Sequence, residues 1–197
     1  MRIFAIDWSG RSGADQRRTL WMAEAANREL VRLEQGKTRE ETVKLLIAEA
    51  DRNSDLIVGF DFAFSLPEWY LRDRAPTPRA LWAMVANEAL TPRMRSLGLA
   101  QWLNSPEPPF WTTTQIHALL AADQGFRRTE IRARVAGSQP KSVFQLVGAE
   151  QVGRGSLYGM QALHRLAAAG FRIWPCGEAG LPLVVEESRS ILSFPSA

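Results

Sequence analysis

Cysteine and long hydrophobic runs are what this chain of 197 residues most lacks. Its one cysteine, Cys176, excludes an intrachain disulfide and a cysteine-built zinc site, so any metal would be held by oxygen ligands. No apolar run reaches the roughly 18 to 20 residues of a membrane span, and we expect no membrane partner. Asp7 interrupts the first apolar run, so we expect no secretory signal and a location in the reducing cytoplasm.

The composition is that of an ordinary folded protein, with 46% hydrophobic and 23% charged residues. The length suits one domain, which we place at 1–197. A mostly helical, arginine-rich insertion is expected at about 70–135, where prolines punctuate helical patterns.

Arginine is the unusual component, with 21 copies against three lysines. The segment 71–141 has 10 basic and 5 acidic residues, so it holds the positive excess of a chain whose net charge is only +3. Tryptophans are interleaved with these arginines, a combination typical of single-stranded nucleic-acid binding. Two alternatives are a solvated basic face on a helical insertion and the arginine bias of a GC-rich genome.

Hydrophobic patterns predict an α/β fold. Three strands at 2–8, 19–25 and 29–33 are expected to form an antiparallel meander. A helix over 38–53 follows, starting at the Thr38-x-x-Glu41 capping box. The apolar run 56–64 then predicts a buried central strand, parallel to an earlier one because a helix precedes it.

The remainder of the chain carries weaker local signals. Ser65 and Glu68 suggest a second capping box for a short helix. Further helices are expected at 112–122, 127–135 and 156–169, with a short one at 143–147. A strand is expected at 171–175, and 183–186 is a short apolar run that ends in an acid.

Two acids occur where apolar residues are expected. Asp7 ends the run that starts at Ile3, and Asp61 lies inside the run 56–64. A buried carboxylate must be paired, hydrogen-bonded or metal-bound, and two converging carboxylates favour Mg or Mn. Glu186 is a third candidate ligand, with Glu187 beside it. The alternative is that each acid caps a turn, pairs with an arginine or lies on the surface.

A second group of candidates could contact phosphate. Arg154, Gly155 and Ser156 lead into a predicted helix, whose amino terminus favours anions. The alternative is a plain turn at the start of a helix. Lys141 and Gln145 could face the same cleft as these residues, and His164 is a further candidate because its predicted helix follows the glycine-containing turn.

The ordered motifs resemble those of one family. They are AIDWSG at 5–10, GFDFAFSLP at 59–67, PKSVFQLVGAEQVGRGSLYGM at 140–160, LHRLAAAGFRIWP at 163–175 and LVVEES at 183–188. This set resembles a family of bacterial and archaeal proteins described as predicted nucleases with a ribonuclease H-like fold. The resemblance implies a mixed five-stranded sheet, its first three strands antiparallel, flanked by helices. It also implies an acidic metal site, with Asp7, Asp61 and Glu186 matching the family's acids.

The expected function is therefore a metal-dependent nuclease that hydrolyses phosphodiester bonds of nucleic acid, with Asp7, Asp61 and Glu186 as catalytic metal ligands. One alternative is a non-catalytic nucleic-acid-binding module of the same fold. Another is a nucleotide-binding phosphoryl-transfer protein of the actin-like ATPase type, which also has a first-strand acid followed by a glycine turn.

Overall fold

The computed structural model describes residues 1–112, 123–135, 140–147, 152–177 and 180–186. They belong to two compact units: unit 1 is Met1–Phe62 with Arg165–Ala197, and unit 2 is Ala63–His164. Unit 2 therefore covers more of the sequence than the insertion expected at 70–135. It begins soon after the fourth strand ends at Phe60, and it ends within the helix Gly153–Ala168. The helix expected at 112–122 lies almost wholly outside the described residues.

Unit 1 contains a mixed sheet of six strands. They are β1 (Arg2–Asp7), β2 (Trp21–Ala26), β3 (Glu29–Gln35), β4 (Leu56–Phe60), β5 (Arg172–Trp174) and β6 (Leu183–Glu186), in the order β3-β2-β1-β4-β6-β5. Strands β1, β2 and β3 pair antiparallel, as predicted, whereas β4 is parallel to β1 and to β6, and β5 is parallel to β6.

The expected strand count of five was wrong. The run at 183–186 is a sixth strand, which inserts between β4 and β5. Three apolar residues followed by an acid are too short a pattern to distinguish a strand from a loop. Only the pairing with β4 and β5 makes this segment a strand. The central strand is also shorter than predicted, since β4 ends at Phe60.

Local signals set the hairpin and the crossover helix of unit 1. Asn27 and Arg28 both have positive φ (53° and 68°), as a two-residue hairpin between β2 and β3 requires. After a 3-10 turn (Gly13–Asp15) and α1 (Gln16–Thr19), the helix α2 (Arg39–Arg52) begins at Thr38 with the predicted capping box. One face of this helix buries Val43 and Leu46.

Unit 2 is helical in its described parts. Its helices are α3 (Glu68–Leu71), α4 (Pro78–Ala86), α5 (Pro92–Leu97), α6 (Leu99–Trp102), α7 (Arg128–Val135) and the first turns of α8 (Gly153–Ala168), within which the boundary to unit 1 falls. Thr77 and Thr91 cap α4 and α5, each followed by a proline at the first helical position. None of the helices in the described ranges is long and apolar enough to cross a membrane.

Two local predictions in unit 2 were wrong. Helix α3 begins after Pro67 rather than after Ser65, whose hydroxyl donates to the Leu66 carbonyl instead of capping the helix. The segment expected as a helix at 143–147 is a turn in which Gln145 forms a bridge to Trp111. In both places tertiary packing, here an aromatic cluster around Tyr70 and Phe144, outweighs a weak local preference.

Candidate functional site

The strand ends place Asp7 beside Asp61. Strands β1 and β4 are parallel, with Ile6 opposite Phe60. Asp7 follows Ile6 as the last residue of β1, and Asp61 follows Phe60 directly after β4. The two acids therefore lie at matching positions at the same edge of the sheet. The backbone N–H of Trp8 donates to Asp61 Oδ1 at 2.8 Å, which ties the two strand ends together. The pairing expected from a strand–helix–strand unit thus brings these two acids together.

Both acids are exposed, although the sequence suggested that they were embedded in buried strands. The reason is the position of each acid at the point where its strand ends, rather than in the middle of the sheet. In the described part of the chain the Asp7 side chain has no ion-pair or hydrogen-bond partner. Their exposure leaves the carboxylates accessible to a cation from solvent.

Glu186 does not complete a three-acid group. It is half-buried and lies opposite Phe60 in the β4–β6 ladder, and paired residues of parallel strands share a face. Asp7 follows Ile6, the partner of Phe60, and side chains alternate along a strand, so Asp7 lies on the other face. Among the described residues no three His, Cys, Asp or Glu side chains form a group that could hold a metal ion. Glu187 lies outside those residues.

The loop after Asp7 is held by residues that sequence reasoning missed. Arg39, at the start of α2, donates from Nη1 to the carbonyl oxygens of Ser9 (2.9 Å) and Arg11 (2.5 Å). The Ser9 hydroxyl oxygen accepts from the Arg11 N–H at 3.1 Å and from Thr19 Oγ1 at 2.7 Å. The contacts of Arg39 and Thr19 join segments 10 to 30 residues apart, so no local pattern indicates them.

Trp8 anchors the start of this loop. Its side chain is 6% exposed and packs edge-on against Phe60, with ring centroids 5.3 Å apart, and against Phe62 at 5.5 Å. Its Nε1 is buried and has no acceptor within the described ranges. The aromatic contacts fix the backbone N–H that Asp61 accepts from.

The predicted phosphate-contact residues lie in unit 2, and their placement favours a plain helix start. Ser156 is fully buried, accepts from the Ala63 N–H at 3.0 Å and donates to the Val152 carbonyl at 2.8 Å. That engagement contradicts the expected phosphate contact of Ser156. Gly155 is also buried, because the first turn of α8 packs inside unit 2.

The remaining candidates keep different degrees of exposure. Arg154 is half-buried, and its Nε has no hydrogen-bond partner among the described residues. Lys141 is exposed, and His164 is half-buried on α8. Of the candidates with a described side chain, Asp7, Asp61 and Lys141 are therefore exposed, Arg154, His164 and Glu186 are partly accessible, and Ser156 is not accessible.

The chemistry available at the sheet edge is that of two neighbouring carboxylates beside a braced loop. Carboxylate pairs of this kind hold hard divalent cations or accept protons. Comparison with models of known protein families, with curated proteins and with solved structures yields no match for this chain.

Proposed function

We propose that this protein is a divalent-metal-dependent nuclease that hydrolyses phosphodiester bonds of nucleic acid, with Asp7 and Asp61 holding Mg or Mn. The observation that carries the proposal is the register that sets these two exposed acids side by side at the ends of β1 and β4. Magnesium often uses only one or two protein carboxylates and takes its other oxygen ligands from water and substrate phosphates. The pair fits such an ion without Glu186.

A ribonuclease H-like fold belongs to the same proposal. Its support is the mixed sheet with three antiparallel strands first, and acids after the first and fourth strands. The resemblance of the ordered sequence motifs to predicted nucleases supports it as well. The sixth strand, β6, is where this chain differs from the expected five-stranded sheet.

Each residue at the edge has a distinct part in this mechanism. A bound divalent ion would activate water and offset the negative charge of the phosphate. The N–H of Trp8 holds the Asp61 carboxylate in one orientation, as outer hydrogen bonds to metal ligands do. Arg39 holds the backbone of the loop at Ser9 and Arg11, which follows Asp7. Glu186, on the other face, has no part in this mechanism.

The charge distribution supports a nucleic-acid partner. Unit 2 has 11 basic and 7 acidic residues, a net charge of +4, whereas unit 1 has 13 and 14, a net charge of −1. Cations attract a polyphosphate backbone in a sequence-independent way. The positive charge of unit 2 therefore suits binding of a nucleic-acid backbone.

The test is cleavage of labelled single-stranded RNA, single-stranded DNA, both duplexes and the hybrid, with Mg, Mn or EDTA. We expect metal-dependent cleavage that falls about 100-fold or more in Asp7→Asn and in Asp61→Asn, since a lost metal ligand forfeits several kcal/mol. Asp51→Asn, which removes another exposed carboxylate of unit 1, is the matched control and should cleave normally.

The outcomes separate the alternatives. Cleavage that persists in both aspartate variants contradicts the proposal. Binding without cleavage under every metal condition favours a non-catalytic nucleic-acid-binding module. A thermal shift caused by ATP, together with no cleavage, favours the actin-like phosphoryl-transfer alternative.

A further inference from the structure

Trp69 is an exposed aromatic side chain at the junction of three segments of unit 2. Its ring is 39% exposed, and its Nε1 donates to the Gln124 carbonyl at 2.7 Å. The ring also lies 5.7 Å from that of Phe144, so the segments 68–72, 123–128 and 141–144 meet around it. A tryptophan held on one side and open on the other presents a fixed π-face to solvent.

Each of the three segments adds an exposed cation. Arg128, 87% exposed, lies 3.8 Å from Glu68, the residue before Trp69. Arg72 is one turn beyond Glu68, since its N–H donates to the Glu68 carbonyl at 3.0 Å. Lys141 is exposed and precedes Ser142, whose hydroxyl donates to the Gly125 carbonyl at 2.6 Å.

These four residues, Trp69, Arg72, Arg128 and Lys141, are called the Trp69 surface. The three segments 68–72, 123–128 and 141–144 together contain four basic and two acidic residues, so they bring a net charge of +2 to the area around the ring. Separate stretches of sequence supply the members, and folding brings them together. The sequence alone indicated only a mixture of arginine and tryptophan along the chain.

We propose that the Trp69 surface binds single-stranded nucleic acid, with one base stacked on Trp69 and the flanking phosphates paired with Arg72, Arg128 and Lys141. Single strands are favoured because duplex bases are already stacked on one another and cannot cover the ring. An acidic peptide would match the cations but would not use the aromatic face. The partner class rests on the proposed function, but the binding does not require cleavage.

The test is fluorescence anisotropy of the full chain with labelled oligo-U and oligo-dT about 12 nucleotides long, in EDTA. We expect both single strands to bind more tightly than a duplex. Trp69→Leu should weaken binding about 5- to 150-fold, the range for loss of one stacked base, and Trp69→Phe should weaken it less. Melting temperatures identify any variant that fails to fold, and Trp69→Phe keeps an aromatic side chain against Phe144.

Salt dependence separates specific phosphate pairing from general charge. Arg128→Gln and Lys141→Gln should each reduce the slope of log affinity against log salt by about 0.7. Arg52→Gln is the matched control, because Arg52 is another exposed arginine, 74% exposed, that lies 3.4 Å from an acid, Glu49, in unit 1. It should leave affinity and slope unchanged.

Several results would overturn the Trp69 surface: a folded Trp69→Leu that binds like wild type, a preference for duplex, displacement by an acidic peptide at equal charge, or an Arg52→Gln effect as large as that of Arg128→Gln. Unequal binding of oligo-U and oligo-dT decides between RNA and DNA within the proposal. If binding depends on Trp69 but no metal supports cleavage, the nuclease proposal fails alone.

Discussion

Asp61 accepts a hydrogen bond from the backbone N–H of Trp8, at 2.8 Å from Oδ1. The contact joins the residue after β4 to the residue after β1, so it holds the ends of these two strands together where the two acids lie. Asp61 therefore supports the strand ends in addition to its proposed metal contact. Asp7, whose side chain has no partner in the described part of the chain, serves no such role.

This difference predicts distinct stability effects. Asp61→Asn keeps an oxygen acceptor, so its free energy of unfolding should lie within about 1 kcal/mol of the wild-type value. Asp61→Leu leaves the Trp8 N–H unpaired and should lower the free energy of unfolding by about 1 to 2 kcal/mol. Asp7→Asn should change the free energy of unfolding by less than about 0.5 kcal/mol. Urea denaturation measures all three. Equal stability of Asp61→Leu and Asp61→Asn would refute the structural role.

Glu24 is predicted to be the most sensitive acid in unit 1. It is buried on β2, where Arg2 Nε donates to Oε1 at 2.7 Å and Arg32 donates to Oε2. Burial opposes ionisation, but the hydrogen bonds from Arg2 and Arg32 outweigh it and lower the pKa of Glu24. Glu24→Gln removes the buried carboxylate that both guanidinium groups contact and leaves Glu49 as their shared remaining partner, so it should destabilise the protein by about 2 to 3 kcal/mol.

The matched control for Glu24 is Glu29→Gln, on the neighbouring strand. Glu29 is exposed, so its loss should change stability by no more than about 0.5 kcal/mol. Chemical denaturation at neutral pH compares the two variants. If the Glu24→Gln protein is as stable as Glu29→Gln, the buried ion pairs make no net contribution to stability.

Gly153 is predicted to tolerate no side chain. A Cβ at this position would lie 2.2 Å from the Val143 carbonyl oxygen and 2.6 Å from that of Gln145. Both atoms are backbone and cannot rotate away, so Gly153→Ala should cost about 3 kcal/mol or more. Gly13→Ala is the comparison: its Cβ meets nothing within 4 Å, and only its positive φ (61°) costs about 1 kcal/mol. Thermal unfolding distinguishes the two, and similar losses would contradict the packing argument.

Acid sensitivity is predicted at the start of α2. Hydrogen bonds from Arg17 and then from the Thr38 N–H lower the pKa of Glu41 from 4.5 to about 2. A lowered folded-state pKa means that the stabilisation is complete above 4.5 and is lost as the pH falls toward about 2. Glu41→Gln should flatten the dependence of the urea midpoint on pH in that window. An unchanged pH profile in this variant would refute the assignment.

Sequence reasoning succeeded where neighbouring residues decide the structure. The Thr38 capping box set the start of α2, and the alternation and turn residues of 2–35 gave the antiparallel strands. The acids after β1 and β4 were also found, since a carboxylate ending an apolar run is visible in the sequence itself. It failed for β6, for the helix expected at 143–147 and for Ser156, whose environments depend on distant segments.

The amino-acid order by itself therefore determined the class of fold and the identity of the paired acids, because capping, strand periodicity and the crossover rule act over a few residues or one connection. Only the tertiary structure decided that Asp7 and Asp61 are exposed neighbours and that Glu186 lies on the other face, because sheet register sets which side chains share a face. The Trp69 surface is likewise a product of packing, since three separate segments must meet before its ring and cations lie together.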